Sequence, residues 1–398
     1  MSEIAERLEE LRDRGLHRRL RLIGGPQGPR VTLDGRQVLL LCSNDYLGLA
    51  NHPKVRGAAA EAAMRWGAGA GASRLISGNM QPHSRLEKRL AAFKGYESAL
   101  LFGSGYLANT GTIAALAGED EVVFSDELNH ASIIDGCRLS RAETFVYRHG
   151  DVEHLSWGLR KAGERAALIV TDGVFSMDGD VAPLAELSEL AKRHGCRLMV
   201  DEAHATGAIG PGGRGSVAAA GLSGEVDVVM GTLGKALGSY GAYVCANRET
   251  TDYLLNTARS FVFSTALPPS VAAAGLAALE LLESQPERVE RLAANARTLR
   301  DALAGEGLGT DGTETQIVPL PVGDAATAMD LCERILERGV FAQGIRPPTV
   351  PEGSSRLRFT VMSTHRREDL ERAAKLIGSA ARDLGVGADR RAVAQLAA

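Results

Sequence analysis

Five short segments of this sequence put reactive side chains directly behind runs of β-forming residues: Gly103-Ser104-Gly105-Tyr106, Asp126 to His130, Asp172 with Ser176, Asp201 to His204, and Thr232 to Lys235. Lys235 follows Thr232-Leu233-Gly234 and precedes a glycine turn from Gly238 to Gly241, so its surroundings are small and closely packed. An ammonium that ordinarily titrates near ~10.4 becomes an amine nucleophile or imine carrier only when desolvated or set beside another cation. Asp201 closes the run Arg197-Leu198-Met199-Val200, and an acid there is costly unless it meets a partner. A ring nitrogen would serve: the carboxylate keeps it protonated, and a cationic ring accepts the electrons of a bond broken at an attached carbon. Taken singly, each residue has a plainer use, Lys235 as a solvated surface charge and Asp201 as a helix cap or salt-bridge partner.

His130 has the shape to lie flat on an aromatic ligand, or to be a structural histidine at a strand end. His204, three residues past Asp201, is close enough in sequence to bond that acid or to orient a ligand hydroxyl. Gly103-Ser104-Gly105 runs straight into a helical pattern, where unpaired N–H groups and the positive dipole end suit a phosphate, although Gly-Ser-Gly is also an ordinary turn. A planar guanidinium fork is the natural clamp for a carboxylate, and the candidates are Arg346, in Arg346-Pro347-Pro348-Thr349, and Arg358, in Arg356-Leu357-Arg358-Phe359-Thr360. Strand alternation puts Arg356 and Arg358 on one face and Leu357 and Phe359 on the other; a solvated edge strand has the same pattern.

The elements that must hold these residues are legible as an α/β alternation. Apolar runs rich in Val, Ile and Leu predict strands at 99–102, 121–124, 144–147, 167–171, 197–201, 227–231 and 241–246. Helical patterns fall between them near 107–117, 132–140, 151–161 and 183–194, the last with Pro183 in its first turn and Gly195 at its end. Such a sheet is mostly parallel, covered on both faces, and binds ligands beyond the carboxyl ends of its strands, where the five segments lie. After about 265 the character changes: Pro268-Pro269 punctuates the chain, long helices fill 270–304, and a smaller strand-and-helix section runs to 385. The division expected is an N-terminal arm over 1–48, a large domain over 49–280 and a small domain over 281–398, with the tail after Gly385 dispensable.

Composition narrows the partners. With 44% hydrophobic and 24% charged residues over 398 positions the chain is a soluble globular protein, and its apolar runs are too short to cross a bilayer. Met1 to Arg14 has no apolar core or cleavage site, so it is no secretory signal, and a cytoplasmic location is expected. Cys42, Cys137, Cys196, Cys245 and Cys332 are scattered without a CxxC pair and read as reduced, buried thiols. A net charge of −4 with interspersed signs gives no basic face for nucleic acid, so the ligand is small. Asp201-Glu202-Ala203-His204 spells a helicase box, but no GxxxxGK[ST] accompanies it. Gly67-Ala68-Gly69-Ala70-Gly71 precedes Ser73-Arg74 instead of opening a helix after a strand, and is read as a substrate or subunit-contact loop. There is no HExxH, zinc-type cluster or GxSxG elbow, so no metal is expected.

Together with Ser43-Asn44-Asp45-Tyr46-Leu47-Gly48, Ser73-Arg74-Leu75-Ile76-Ser77-Gly78 and Asp172-Gly173-Val174-Phe175-Ser176-Met177-Asp178-Gly179, the blocks Asp201–His204 and Gly231–Lys235 resemble, in order and spacing, the α-oxoamine synthases, fold-type I pyridoxal-phosphate enzymes. The resemblance covers nearly the whole chain. It implies a mostly parallel seven-stranded large domain with a smaller C-terminal α+β domain, and pyridoxal 5'-phosphate as cofactor. By the same resemblance Lys235 carries the cofactor aldehyde, Asp201 pairs with its ring nitrogen, His130 stacks on the ring, and His204 and Ser176 neighbour its phenolic oxygen. Gly105, Tyr106 and Thr232 would lie at the phosphate, Arg358 with Asn44 at the amino-acid carboxylate, and Arg18, with Arg19 and Arg21 as rivals, at the far end of the acyl chain. Ile345-Arg346-Pro347-Pro348-Thr349-Val350-Pro351 followed by Arg356-Leu357-Arg358 is similar to the branch that joins L-alanine to a pimeloyl thioester, of coenzyme A or a carrier protein, with loss of carbon dioxide, for biotin synthesis. Other readings stay open: a branch using glycine and an acetyl thioester, aminotransfer or retro-aldol chemistry on the same fold, or a non-enzymatic cofactor-binding protein. A homodimer is implied, with Ser264 and Thr265 reaching the neighbouring subunit's phosphate. Alanines 70 and 72, in Gly69-Ala70-Gly71-Ala72-Ser73, stand where small hydroxyl residues are frequent, a departure that bears on acyl-chain preference.

Overall fold

The computed structural model describes residues 2–310 and 312–387, so the tail expected to be dispensable lies outside the described residues from 388 onward. The chain divides into two compact units: Asp45–Ser176 with Asp180–Glu290, and Met1–Asn44 with Met177–Gly179 and Arg291–Ala398.

In the larger unit, seven strands form one sheet in the spatial order Ser98–Phe102, Ala242–Ala246, Val228–Thr232, Arg197–Asp201, Ala166–Asp172, Val122–Asp126, Glu143–Tyr147. All neighbours run parallel except Ala242–Ala246, which is antiparallel to both strands beside it. All seven residues of Ala166–Asp172 are buried, as a central strand covered on both faces requires. One core cluster, with Phe102, Ile113, Ile133, Met199 and Met230, and a second, with Phe124, Leu155, Leu187, Val200 and Val229, pack on the sheet.

The helices start where the chain supplies caps. Ser104 caps Gly105–Leu116 by accepting from the Leu107 N–H, and Asp151 caps Val152–Ala162 through the His154 N–H. Leu184–His194 begins one residue later than expected: Pro183 stands at the cap position, outside the first turn, and Gly195 closes the helix at φ +64°. The six strands that run in one direction thus end on the same side of the sheet, where the polar segments emerge; Ala242–Ala246 ends on the other.

The smaller unit holds two three-stranded sheets, one of Arg30–Leu33, Arg36–Leu40 and Val340–Phe341, the other with Ser355–Thr360 between Ile317–Gly323 and Gln343–Ile345. Because Ser355–Thr360 is paired on both sides, it is not the solvated edge strand that alternation allowed, and Arg358 is only 8% exposed. Helix Arg367–Asp383 buries Leu370, Ala373, Ala374 and Ile377, one face at helical spacing. Its N-terminal approach is latched by His365, whose Nδ1 accepts the Met362 N–H at 2.8 Å and whose Nε2–H donates to the Leu40 carbonyl at 3.0 Å. No helix among the described residues is long and apolar enough to cross a membrane. All five cysteines are free; four are buried and Cys42 is half-buried.

Two histidines make stability depend on pH in opposite directions. Burial pushes the His365 pKa down to about 4, so its contribution is complete above the unfolded value near ~6.5 and is lost as pH falls through about 4, a loss of up to ~3 kcal/mol. His149, in the larger unit, lies between Asp126 (3.0 Å) and Asp180 (2.8 Å), and the bonds to these two carboxylates raise its pKa to about 10. Its contribution is complete below ~6.5 and is lost as pH rises through about 10. Urea midpoints are therefore expected to fall on both sides of neutrality, with a shallower acid limb in His365→Gln and a shallower alkaline limb in His149→Gln. Limbs identical to wild type in both variants contradict this assignment.

Candidate active site

Asp126, Asp172, Asp201 and Thr232 are the last residues of four sheet strands, and Asp172 and Asp201 are direct partners across the parallel pair Ala166–Asp172 and Arg197–Asp201. Two carboxyls held side by side in the interior cannot both ionise cheaply. Burial, reinforced by the neighbouring Asp201, drives the Asp172 pKa well up. Asp172 accepts the backbone N–H of His130 at 2.9 Å, which anchors the start of helix Ala131–Ser140 to the sheet.

Asp201, 3% exposed, is aimed by two donors: its Oδ2 accepts from Asn109 Nδ2 at 2.7 Å and its Oδ1 from the Ala203 N–H at 2.8 Å. Lys235 sits in the turn after Val228–Thr232, with its Nζ 2.7 Å from His204 Nε2; the other nitrogen of that ring lies 2.6 Å from the buried Tyr46 hydroxyl. His204 is thus bridged between the amine and a phenol. His130 presents much of its surface to solvent, yet its Nδ1 edge is packed, 2.7 Å from Ser132 Oγ. Protein around the ring lowers its pKa, Asp201 pulls the other way, and Lys235 adds to the lowering, which puts all three groups within electrostatic reach of one another.

Other named residues serve the same region differently. The Thr232 hydroxyl donates to the Gly241 carbonyl at 3.0 Å and accepts the Gly234 N–H at 3.1 Å, bracing the lysine turn. Gly105 and Tyr106 are the first two residues of their helix, with amide N–H groups directed out of its end as a phosphate site requires. The Tyr106 side chain is 45% exposed and donates to Asp135. Ser176 is half-buried in the loop after Ala166–Asp172, and the exposed Thr265 forms a bridge with Ser73.

In the smaller unit, Arg358 reaches the Asn44 side-chain oxygen with two guanidinium nitrogens, each at 3.5 Å. Arg346 donates to the His17 carbonyl at 3.0 Å, and its buried Nε has no hydrogen-bond partner. Burial and then the nearby Arg18 lower the Arg346 pKa. Arg18, Arg19, Arg21 and Arg346 line a cavity of about 610 Å³; Arg21 pairs with Glu333 across it, and Arg18 is exposed.

The Lys235 amine beside His204, the buried Asp201 carboxylate aligned by two donors, the His130 imidazole and the helix start at Gly105 are a donor set that fits pyridoxal phosphate. The family model described as aminotransferase class I and II matches residues 36–377. An 8-amino-7-oxononanoate synthase of Citrifermentans bemidjiense is 56% identical over 97% of this chain and 100% of its own length. Among solved structures, a serine palmitoyltransferase from S. paucimobilis bound to PLP with myriocin superposes with a TM-score of 0.91 at 34% identity, covering 96% of this chain and 98% of that one. An 8-amino-7-oxononanoate synthase from Francisella tularensis gives a TM-score of 0.76 at 27% identity, covering 88% and 99%. The chain belongs to the class I and II aminotransferase family and, within it, to the α-oxoamine synthases. It is a pyridoxal-phosphate-dependent acyltransferase that acts on small molecules.

Asn109, Ser132 and Tyr46 were not singled out in the sequence. Asn109 is a fully buried amide, which needs polar partners, but in the sequence it stands beside Thr110 and Thr112 and nothing marks it out. Its contact with Ser132 depends on close helix packing at Gly136, where an added Cβ would stand 2.9 Å from Ile113 Cδ1 and 3.1 Å from the Asn109 carbonyl.

Proposed function

We propose that this chain condenses L-alanine with a pimeloyl thioester, of coenzyme A or a carrier protein, to give 8-amino-7-oxononanoate, carbon dioxide and the free thiol, as the biotin-pathway relatives of that name do. The observation that carries this reading is the 56% identity to such a synthase along its whole length. Bound pyridoxal phosphate supplies an aldehyde that takes up amines and a ring that accepts the electron pair of a bond broken at the substrate Cα.

The protein's own residues divide the remaining work. Lys235 and Asp201 would hold the cofactor at its aldehyde and its ring nitrogen, His130 would flank the ring, and His204 and Ser176 would lie toward its hydroxyl. Gly105, Tyr106 and Thr232 would bound its phosphate. With alanine bound, the Lys235 amine would be the base that takes the Cα proton, oriented by its 2.7 Å contact with His204. Cα then attacks the thioester carbonyl, and the sulfur leaves as a thiolate that takes a proton from solvent. The β-keto acid loses carbon dioxide, and the Lys235 ammonium returns a proton to the same carbon. Arg358, with Asn44, receives the alanine carboxylate; Arg18 and Arg346 receive the distal carboxylate of the acyl chain.

The working unit is a cytoplasmic homodimer in which Ser264 and Thr265 reach the neighbouring subunit's phosphate. Supporting this, Leu75, Ile76 and Phe263 are 47%, 81% and 73% exposed on two segments joined by the Ser73–Thr265 bridge, the kind of apolar surface a second subunit covers.

Coenzyme A release with alanine, glycine and serine crossed against acetyl, succinyl, pimeloyl and palmitoyl thioesters tests the function. Alanine with pimeloyl-CoA is expected to give the highest kcat/KM, and faster release with glycine and acetyl-CoA, or with serine and palmitoyl-CoA, overturns the assignment. Arg358→Ala is expected to raise the KM for alanine by roughly 10–100-fold, the kinetic equivalent of losing a charged hydrogen bond of about 1.5–3 kcal/mol, with little effect on cofactor affinity. An unchanged KM removes Arg358 from the clamp.

A further inference from the structure

The hydrogen bonds that join helix Gly105–Leu116 to helix Ala131–Ser140 run in one direction. Asp201 accepts through both oxygens, Oδ1 from the Ala203 N–H and Oδ2 from Asn109 Nδ2 at 2.7 Å, and the second contact fixes the Asn109 amide with NH2 toward the carboxylate. The opposite atom, Asn109 Oδ1, is buried without a partner, as that orientation demands. The second N–H of the same amide reaches Ser132 Oγ at 2.9 Å. With its oxygen accepting from the amide, Ser132 has its own O–H to give, and His130 Nδ1 lies 2.7 Å away. The Ser132 backbone N–H points at the same ring nitrogen from 3.2 Å. Two donors converging on Nδ1 require it to carry no proton, which leaves the ring proton on Nε2.

We propose that Asn109 and Ser132 are positioning residues that hold His130 as the neutral Nε2–H tautomer and couple that tautomer to the oriented carboxylate of Asp201. Asn109 is 0% and Ser132 1% exposed, so water does not compete for these bonds. The lowered pKa of His130, set by the surrounding protein against the pull of Asp201, agrees with a neutral ring. The consequence for chemistry rests on the function proposed above: a neutral imidazole beside a protonated pyridine ring avoids the like-charge repulsion an imidazolium would bring, so Asp201 can keep that ring cationic. The tautomer itself does not depend on that reading.

Long-range proton–nitrogen NMR of the full-length, pyridoxal-phosphate-loaded protein with 15N-labelled histidine, near neutral pH, tests the proposal directly. The His130 signals are identified by their loss in His130→Gln. Wild type is expected to have an unprotonated Nδ1 and a protonated Nε2, and Ser132→Thr to keep that pattern. Ser132→Ala and Asn109→Leu are each expected to raise the Nδ1–H population at least severalfold. A wild-type ring protonated at Nδ1, alone or with Nε2, overturns the proposal without recourse to any variant. So does a wild-type pattern in folded Ser132→Ala, which carries the variant test by itself if Asn109→Leu does not fold. The expected tautomer in a protein that releases no thiol from any thioester upholds this proposal and removes the assigned function.

Discussion

Replacing Lys235 with alanine is expected to lower thiol release from pimeloyl-CoA by more than about 10³-fold, because in the proposed mechanism it removes both the carrier amine and a general base, a role that alone contributes about 10²–10⁴-fold. The yellow colour of the protein incubated with pyridoxal phosphate should be lost as well. Stability should change by less than about 1 kcal/mol, since Lys235 is only half-buried and packs little apolar surface. Activity and stability are thereby separated. Retained turnover in a folded Lys235→Ala protein would mean that another amine does the chemistry, and the proposed role of this turn would fall with it.

The second large effect lies behind the site. Lys94, the last residue of helix Gln81–Lys94, sends its ammonium into the interior to pair with Glu202; their side chains are 2% and 0% exposed. The ammonium also donates to the Arg214 carbonyl and to Thr206 Oγ1, while Glu202 accepts from Ser216 Oγ at 2.9 Å and the Val217 N–H at 2.7 Å. Glu202 stands between Asp201 and the Ala203–His204 turn, so this pair ties that segment to the end of helix Gln81–Lys94 and to Arg214, Ser216 and Val217. Lys94→Met leaves a buried carboxylate without its counter-charge, a change that costs about 3–5 kcal/mol against a total stability of about 5–15 kcal/mol. A large drop in urea midpoint is expected, with partial recovery in Lys94→Met/Glu202→Leu, where neither charge remains. A Lys94→Met protein as stable as wild type would show that the pair does not hold the turn.

The strands were legible because each is a short run of β-branched and aliphatic residues closed by polar ones: the run expected at 167–171 is observed as Ala166–Asp172, and 197–201 is observed without change. Strand order was not legible, since period-two alternation says nothing about neighbours. Hence the pairing of Asp172 with Asp201, whose charge adds to burial in raising the Asp172 pKa, emerged only from the sheet. The same blindness let Arg358 read as either an edge residue or a buried clamp; two-sided pairing of Ser355–Thr360 puts it inside. Lys235, Asp201, His204 and His130 stood out as reactive side chains at strand ends. Asn109 and Ser132 did not, because their role lies in what they touch across two helices, and a helical pattern reports only which face is apolar. Nor does the sequence mark Lys94, whose inward course depends on a carboxylate 108 residues away.

Every role proposed for the site depends on where the cofactor attaches. Reduction of the loaded protein with borohydride fixes pyridoxal phosphate to the lysine that carries it, and peptide mapping by mass spectrometry identifies that lysine. The modification is expected on Lys235 alone, in the peptide after Arg214; label on any other lysine, or none after full incubation with the cofactor, contradicts the assignment.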